Sequence, residues 1–140
     1  CMSHPREIVI TGVGVVSPIG IGCDAFWRSL AAGESGIRPV DLFDASSLRV
    51  RFGGQIPDFD PKQYVRPRKS LKVMSREIQI GFAAADLALA EAGIAEGTLE
   101  PERFGVVFGN DMIYADLEDL EQTYRRSLRD GQFDFHLWSE

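Results

Sequence analysis

The sequence predicts an α/β fold with a mainly parallel sheet. Three observations lead to this prediction: two continuous apolar runs typical of strands buried on both faces, helices with apolar residues at helical spacing, and the alternation of the two along the chain. The predicted order is strand, helix, a long irregular stretch, helix, strand and helix. The 140 residues fit one domain, and the hydrophobic and charged fractions of 44% and 26% are those of a globular protein.

The first half of the chain contains one predicted strand and one short helix. Residues 8–16 read IVITGVGVV, a β-branched apolar run that predicts a strand. Asp24 opens a helix, and Gly33 is placed where a helix commonly ends in a left-handed residue. Residues 36–68 follow no strong period, although residues 50–56 could form a short strand. A stretch this long without periodicity is usually functional or faces a partner.

The second half contains the clearest helix, predicted from Ser70 to Ala92 and ended by Gly93. Its apolar face is Met74, Ile78, Phe82, Ala85 and Leu89, and alanines on its other sides permit close approach of a second layer. Residues 103–109 predict a second apolar strand. A last helix is predicted over 113–128, with Gly131 as its stop.

Composition excludes several classes of protein. The 21 acidic and 15 basic side chains give a net charge of −6, which argues against a nucleic-acid partner. No apolar run is long enough to span a membrane, and no secretory signal is recognisable. Two cysteines, Cys1 and Cys23, form neither a disulfide framework nor a metal pair, so no metal is expected and the cytoplasm is the expected compartment.

A partial glycine motif follows the first strand. Residues 11–17 read TGVGVVS and nearly match the GxGxxG dinucleotide fingerprint. The third glycine is missing, Pro18 follows directly, and the helix opens only at Asp24, too late to present its amides to a pyrophosphate. Glycines that allow a tight turn and close packing are the favoured interpretation. A small nucleotide-binding α/β domain remains as an alternative.

Cys23 lies near a helix start, where a nucleophilic cysteine could stand. Such a nucleophile also needs a base, and the chain offers only His4 and His136. A half-buried small residue is therefore the favoured interpretation, and Cys23 is not expected to be catalytic.

Five cations within eleven residues interrupt this acidic chain: Arg66, Arg68, Lys69, Lys72 and Arg76. One interpretation is a solvated helix face. The other is a compact cationic surface for an acidic partner, which electrostatic complementarity would favour.

From Arg6 to about Asn110 the chain resembles the elongating β-ketoacyl-acyl-carrier-protein synthases. The matching segments are residues 8–20, 26–27, 32–37, 43–44, 53–54, 58–61, 68–69, 74–76, 92–94 and 104–109. Residues 1–5 are expected to be a leader or to be left over from expression, and residues 6–140 an incomplete N-terminal portion of the β-ketoacyl synthase N-terminal domain. The aromatic segment 133–138 is then expected to pack against a remainder beyond Glu140.

The resemblance implies a thiolase-like fold, in which two similar βα halves form five α-β-α-β-α layers, usually as a homodimer. This chain would be only the N-terminal part of the first half. The implied reaction, in fatty-acid or polyketide synthesis, is a decarboxylating Claisen condensation of an acyl thioester with malonyl-acyl carrier protein, without a cofactor. The family's catalytic cysteine and two histidines would lie beyond Glu140, so this chain alone is expected to be inactive. A related non-catalytic subunit, a chain-length factor or scaffold, is the alternative.

Two sets of site residues follow from the resemblance. Arg68, Lys69 and Lys72 match the segment that contacts the acyl carrier protein in relatives, and Val73 stands where some relatives have another lysine. Met112 matches an apolar residue that lines the acyl pocket across the dimer.

Overall fold

The computed structural model describes residues 7–110 and 117–138. The elements, in chain order, are β1 (Val16–Ser17), β2 (Gly20–Ile21), α1 (Cys23–Ala31), β3 (Ile37–Pro39), β4 (Phe52–Gly54), a 3₁₀ helix (Pro61–Gln63), a second 3₁₀ helix (Arg68–Val73), α2 (Arg76–Glu91), a third 3₁₀ helix (Pro101–Arg103), α3 (Leu117–Arg126), β5 (Leu128–Arg129), β6 (Gln132–Phe133) and α4 (Phe135–Trp138). No helix within these ranges is both long enough and apolar enough to cross a membrane.

The ends of α1 and α2 were correctly predicted from their glycines. Gly33 has φ +70°, and the next amide, of Glu34, donates to the carbonyl of Ser29 at 2.9 Å. Gly93 repeats the arrangement with φ +69°, and the Ile94 amide donates to an α2 carbonyl at 2.9 Å. Both are Schellman caps, which need a left-handed residue that glycine supplies without steric cost.

The strands of the described residues form three antiparallel ribbons: β1 with β2, β3 with β4, and β5 with β6. The predicted strand 50–56 is confirmed as β4, while its partner β3 was not predicted. The parallel pairing predicted from the alternation of elements is absent from residues 7–110 and 117–138. Each pairing is instead between neighbours in sequence, so local hairpins account for every ladder here.

The two predicted buried strands carry almost no ladder. Within 8–16 only Val16 belongs to a strand, and residues 104–109 belong to none. Ile8 is 97% exposed and Val107 is fully exposed. A ladder requires a neighbouring strand as well as a suitable sequence. Among the described residues these runs contact α2, and apart from Val16, which pairs with Ile21, no strand pairs with them.

Helix α2 is the element against which the two apolar runs, residues 8–16 and 103–109, pack. A β-carbon at Gly12 or Gly14 would overlap the backbone of α2, at the carbonyl oxygens of Ala88 and Ala84. A β-carbon at Gly81, within α2, would overlap the ring of Phe108. Gly81 and Ala88 are seven residues apart, which places them about 20° from each other around the helix axis. These close approaches are therefore on one side of α2, and close approach on a second side stays a prediction.

The predicted helix 70–92 begins later than expected, at Arg76. Residues 68–73 form a 3₁₀ helix, and Met74 is extended, with φ −101° and ψ 122°. The side-chain amide of Gln79 donates to the Met74 carbonyl at 2.8 Å, and its backbone amide donates to the Ser75 carbonyl at 3.0 Å. These bonds pair backbone groups at the break between the 3₁₀ helix and α2. Hydrophobic periodicity reflects side chains alone, so it does not detect such a break.

The helix predicted over 113–128 corresponds to α3, which ends at Arg126, so the prediction that Gly131 stops it was wrong. Asp130 and Gly131 are both left-handed, with φ of 52° and 76°, and form the turn between β5 and β6. This Asp-Gly pair is a strong hairpin signal, because a tight type I′ turn needs two positive φ angles.

The aromatic residues that follow pack on one another and on α3. Phe133 stacks on Tyr124 at 5.3 Å between ring centroids and meets Phe135 edge-on at 4.9 Å. Trp138 lies 5.5 Å from the same ring. Phe135 remains 79% exposed, so the cluster still presents apolar surface. Packing against a further part of the protein stays a prediction.

Candidate functional site

The basic 3₁₀ helix, residues 68–73, is the element that carries the predicted binding residues. Pro67 precedes it, and its carbonyl accepts from the Ser70 amide at 3.0 Å. Val65, just upstream, is 1% exposed and anchors this part of the chain. Ser70 and Leu71 are half-buried, whereas the four other residues of this helix are exposed.

Four of the five cations identified in the sequence lie on this exposed surface. Arg66, Arg68, Lys69 and Lys72 are all exposed, and none takes part in an ion pair within the part of the chain that the structure describes. Like charges held together without counterions create a positive potential toward solvent. These four residues are called the cationic patch below.

The fifth cation, Arg76, differs from this patch in its surroundings. It is half-buried at the start of α2, and its guanidinium carbon lies 5.7 Å from the ring centroid of Phe59. Phe59 in turn stacks on Tyr64 at 6.1 Å. Arg76 therefore makes a cation–π contact, typically worth about 0.5–1 kcal/mol or more, within the fold. Arg76 thus differs from the other four cations, because it is half-buried and its guanidinium packs on a ring of the fold.

The predicted pocket residue Met112 lies outside the described residues. The chain just before it, residues 104–108, borders an apolar groove of about 780 Å³ against α2. The groove is lined by Ile78, Phe82, Ala85, Leu89, Val106 and Phe108, among others. Four of these belong to the apolar face that helical spacing predicted for α2.

Cys23 stands at the start of α1 in surroundings that disfavour a thiolate. Its thiol donates to the carbonyl of Val13 at 3.1 Å. The Val13 amide donates to the carboxylate of Glu91, so side chains satisfy both backbone groups of this residue. Partial burial, with the nearby carboxylates of Glu91 and Asp24, raises the pKa of the Cys23 thiol. A nucleophilic cysteine needs the opposite shift, which supports the non-catalytic interpretation.

The glycines of the partial nucleotide motif pack against α2. The backbone approaches so closely at Gly12 and Gly14 that no side chain would fit there. Both glycines are therefore accounted for by packing, the interpretation that the sequence favoured. In residues 7–110 and 117–138, no three His, Cys, Asp or Glu side chains are grouped to hold a metal ion.

Comparison with solved structures shows the class of protein. The structure is similar to the ishigamide ketosynthase/chain length factor, with a TM-score of 0.58 and 36% identity over 65% of this chain and 22% of that one. The chain thus has part of the thiolase-like fold. Residues 5–134 match the family profile described as the β-ketoacyl synthase, N-terminal domain. The chain belongs to the β-ketoacyl synthase family.

Similar proteins come from fatty-acid and polyketide systems. The chain is 33% identical to 3-oxoacyl-[acyl-carrier-protein] synthase 2 of Vibrio cholerae, over 90% of this chain and 30% of the relative. It is 40% identical to the granaticin polyketide β-ketoacyl synthase 1 of Streptomyces violaceoruber, over 85% of this chain and 28% of the relative. The matching region thus spans less than a third of either relative.

Proposed function

We propose that residues 6–140 are the N-terminal portion of a β-ketoacyl-acyl-carrier-protein synthase of fatty-acid or polyketide synthesis. The family match over residues 5–134 is the observation that carries this proposal. The whole protein would transfer an acyl chain from its carrier to a cysteine thiolate. Malonyl-acyl carrier protein would then lose carbon dioxide, and the resulting carbanion would attack the acyl thioester and release the cysteine.

The chemical step would belong to residues beyond this chain. Cys23 does not match the family's nucleophile motif, and the raised pKa of its thiol keeps it protonated at neutral pH. Neither His4 nor His136 matches the two histidines that assist decarboxylation and condensation. We therefore expect the 140-residue chain alone to form no β-ketoacyl product from acyl- and malonyl-acyl carrier protein. The full-length protein should form it, and turnover by the isolated chain would refute the assignment of catalysis to the missing part.

Arg68, Lys69 and Lys72 of the cationic patch would bind the acyl carrier protein, which is acidic in this family. Their exposure and the absence of ion pairs to them in the described residues support this role. On a chain of net charge −6, a local positive patch would orient an acidic partner as it approaches. Met112 would line the acyl pocket at the dimer interface, as its position after the second apolar run suggests.

Charge reversal in the full-length protein tests this docking surface. Lys69→Glu together with Lys72→Glu should weaken carrier-protein affinity by about tenfold or more at low salt, with no loss of folding. The control makes the same double reversal at Arg51 and Arg103, exposed cations outside the patch, and should change affinity much less. Unchanged affinity in the Lys69 and Lys72 variant would remove the docking proposal.

A non-catalytic synthase-like subunit is the second candidate. The similarity to a structure named as both a ketosynthase and a chain length factor favours keeping it. The residue at the family's nucleophile position in the full-length sequence discriminates between the two. A cysteine there supports the enzyme, and any other residue supports a subunit that shapes chain length or acts as a scaffold.

We also propose that the protein is cytoplasmic and forms a homodimer. The cysteine content supports the first statement, and the family resemblance supports the second. Sedimentation of the full-length protein at several concentrations tests the dimer, and a mass of one chain throughout would contradict it.

A further inference from the structure

One side chain of the basic 3₁₀ helix is neither charged nor buried. Val73, the last residue of this helix, is 85% exposed. A single exposed valine is ordinary on a protein surface. Here the neighbouring residue is Lys72, and Lys69 and Arg68 lie within the same six residues. The apolar side chain therefore stands at the border of the cationic patch.

The type of helix decides which side chains are neighbours. In a 3₁₀ helix residues i and i+3 lie one above the other, at a rise of about 2 Å per residue. Lys69 and Lys72 thus form one row, and Ser70 and Val73 form the row beside it. The third row contains Arg68 and the half-buried Leu71. The lysine row is exposed along its length, and in the row beside it Ser70 is half-buried and Val73 is exposed.

The break at Met74 leaves Val73 uncovered. Met74 is extended, and the Gln79 side chain holds its carbonyl at 2.8 Å. Helix α2 starts only at Arg76, whose guanidinium packs on the ring of Phe59. In a continuous α-helix, Lys69, Val73 and Arg76 would instead share one face.

We propose that Val73 is the apolar contact of the carrier-docking surface. The proposal rests on the carrier-docking function above. The partner it fits is a carrier protein whose helix places an apolar side chain beside carboxylates. The carboxylates would approach Lys69 and Lys72, and the apolar side chain would cover Val73. Charges act at long range and set the encounter rate, whereas desolvation of apolar contacts acts only after docking and slows release.

The charged contacts and the apolar contact differ in how they respond to salt, which makes the proposal testable. Binding of a purified holo-acyl carrier protein to the full-length protein is measured by titration calorimetry across a series of salt concentrations. Val73→Ser should lower the affinity about fivefold at every salt concentration, because an apolar contact is lost. Lys72→Gln should lower it most at low salt and flatten the salt dependence, because a charge is lost. Val73→Lys should make the salt dependence steeper.

A matched control is available within the chain. Val50 is another exposed valine, at 59%, in the irregular stretch outside the cationic patch. Val50→Ser should leave carrier affinity unchanged, and circular dichroism should show that all variants remain folded. If Val73→Ser retains full carrier affinity while Lys72→Gln weakens it, the role proposed for Val73 is wrong and the docking surface stands. If the unsubstituted protein binds no carrier, the proposed function itself fails.

Discussion

At the scale of single residues, close backbone approach explains features that resemble functional motifs. Gly14 belongs to a near-match to a nucleotide fingerprint, yet its α-carbon packs directly on the backbone of α2 at Ala84. Cys23 stands at a helix start, yet burial and two carboxylates raise its pKa. In both cases the residue type suits more than one role, and the surroundings select packing.

Gly14→Ala should destabilise the protein by about 1–3 kcal/mol, because the added methyl group would meet backbone atoms that cannot move independently. Chemical denaturation followed by circular dichroism measures the change. Gly53→Ala is the control, since a β-carbon there meets nothing within 4 Å. A stability loss no larger than that of the control would contradict the close packing.

The Cys23 thiol should be alkylated more slowly than a free cysteine at neutral pH, because a raised pKa lowers the thiolate fraction. Iodoacetamide labelling followed by mass spectrometry, in a Cys1→Ser background, gives the rate at each pH. Glu91→Gln removes a negative charge, so it should lower the thiol pKa and move the pH–rate profile to lower pH. If the pH–rate profile lies at the same pH as that of a free cysteine, or at lower pH, the thiol pKa is not raised and this account is overturned.

At the scale of elements, the ends of α1 and α2 were predictable, whereas the start of α2 and the type of the helix before it were not. Gly33 and Gly93 end α1 and α2 as predicted, because a left-handed cap is a local requirement. The basic 3₁₀ helix depends on Pro67 before it and on the Gln79 bond to Met74 after it. Hydrophobic spacing describes only side chains, so the helix predicted from it began at residue 70 rather than at Arg76.

Gly131→Ala should destabilise the β5–β6 turn by about 1–2 kcal/mol, because alanine is strained at the positive φ of this position. Amide hydrogen exchange should become faster at Asp134, whose amide donates to the Ser127 carbonyl at 2.7 Å. Exchange in α2 should be unchanged and serves as the internal control. Equal protection at Asp134 in both proteins would count against this turn geometry.

At the scale of the whole molecule, the described residues leave extensive apolar surface uncovered. Ile8, Val107 and the ring of Phe108 are exposed by 97%, 101% and 56%, although all belong to runs typical of buried strands. Such contiguous exposed runs mark surfaces that other segments or proteins cover. The matching relatives are more than three times longer than the region they share with this chain.

The isolated 140-residue chain should bind an environment-sensitive apolar dye, because these runs remain open to solvent. Val107→Lys should reduce the dye fluorescence by placing a charge within the apolar surface. Gln132→Lys introduces the same side chain at an exposed polar position and should not reduce it. Equal fluorescence in the two variants would contradict dye binding at residues 104–108.

Features that depend on short-range chemistry could be predicted from the sequence. The ends of α1 and α2, the apolar face of α2 and the family of the protein follow from residues close together in the chain or from their order. The tertiary structure set the environment of each cation, because Phe59, distant from Arg76 in the chain, provides the ring on which its guanidinium packs. It also decided that residues 8–15 and 104–109 stay unpaired among the described residues, since a ladder needs a neighbour that no local pattern specifies.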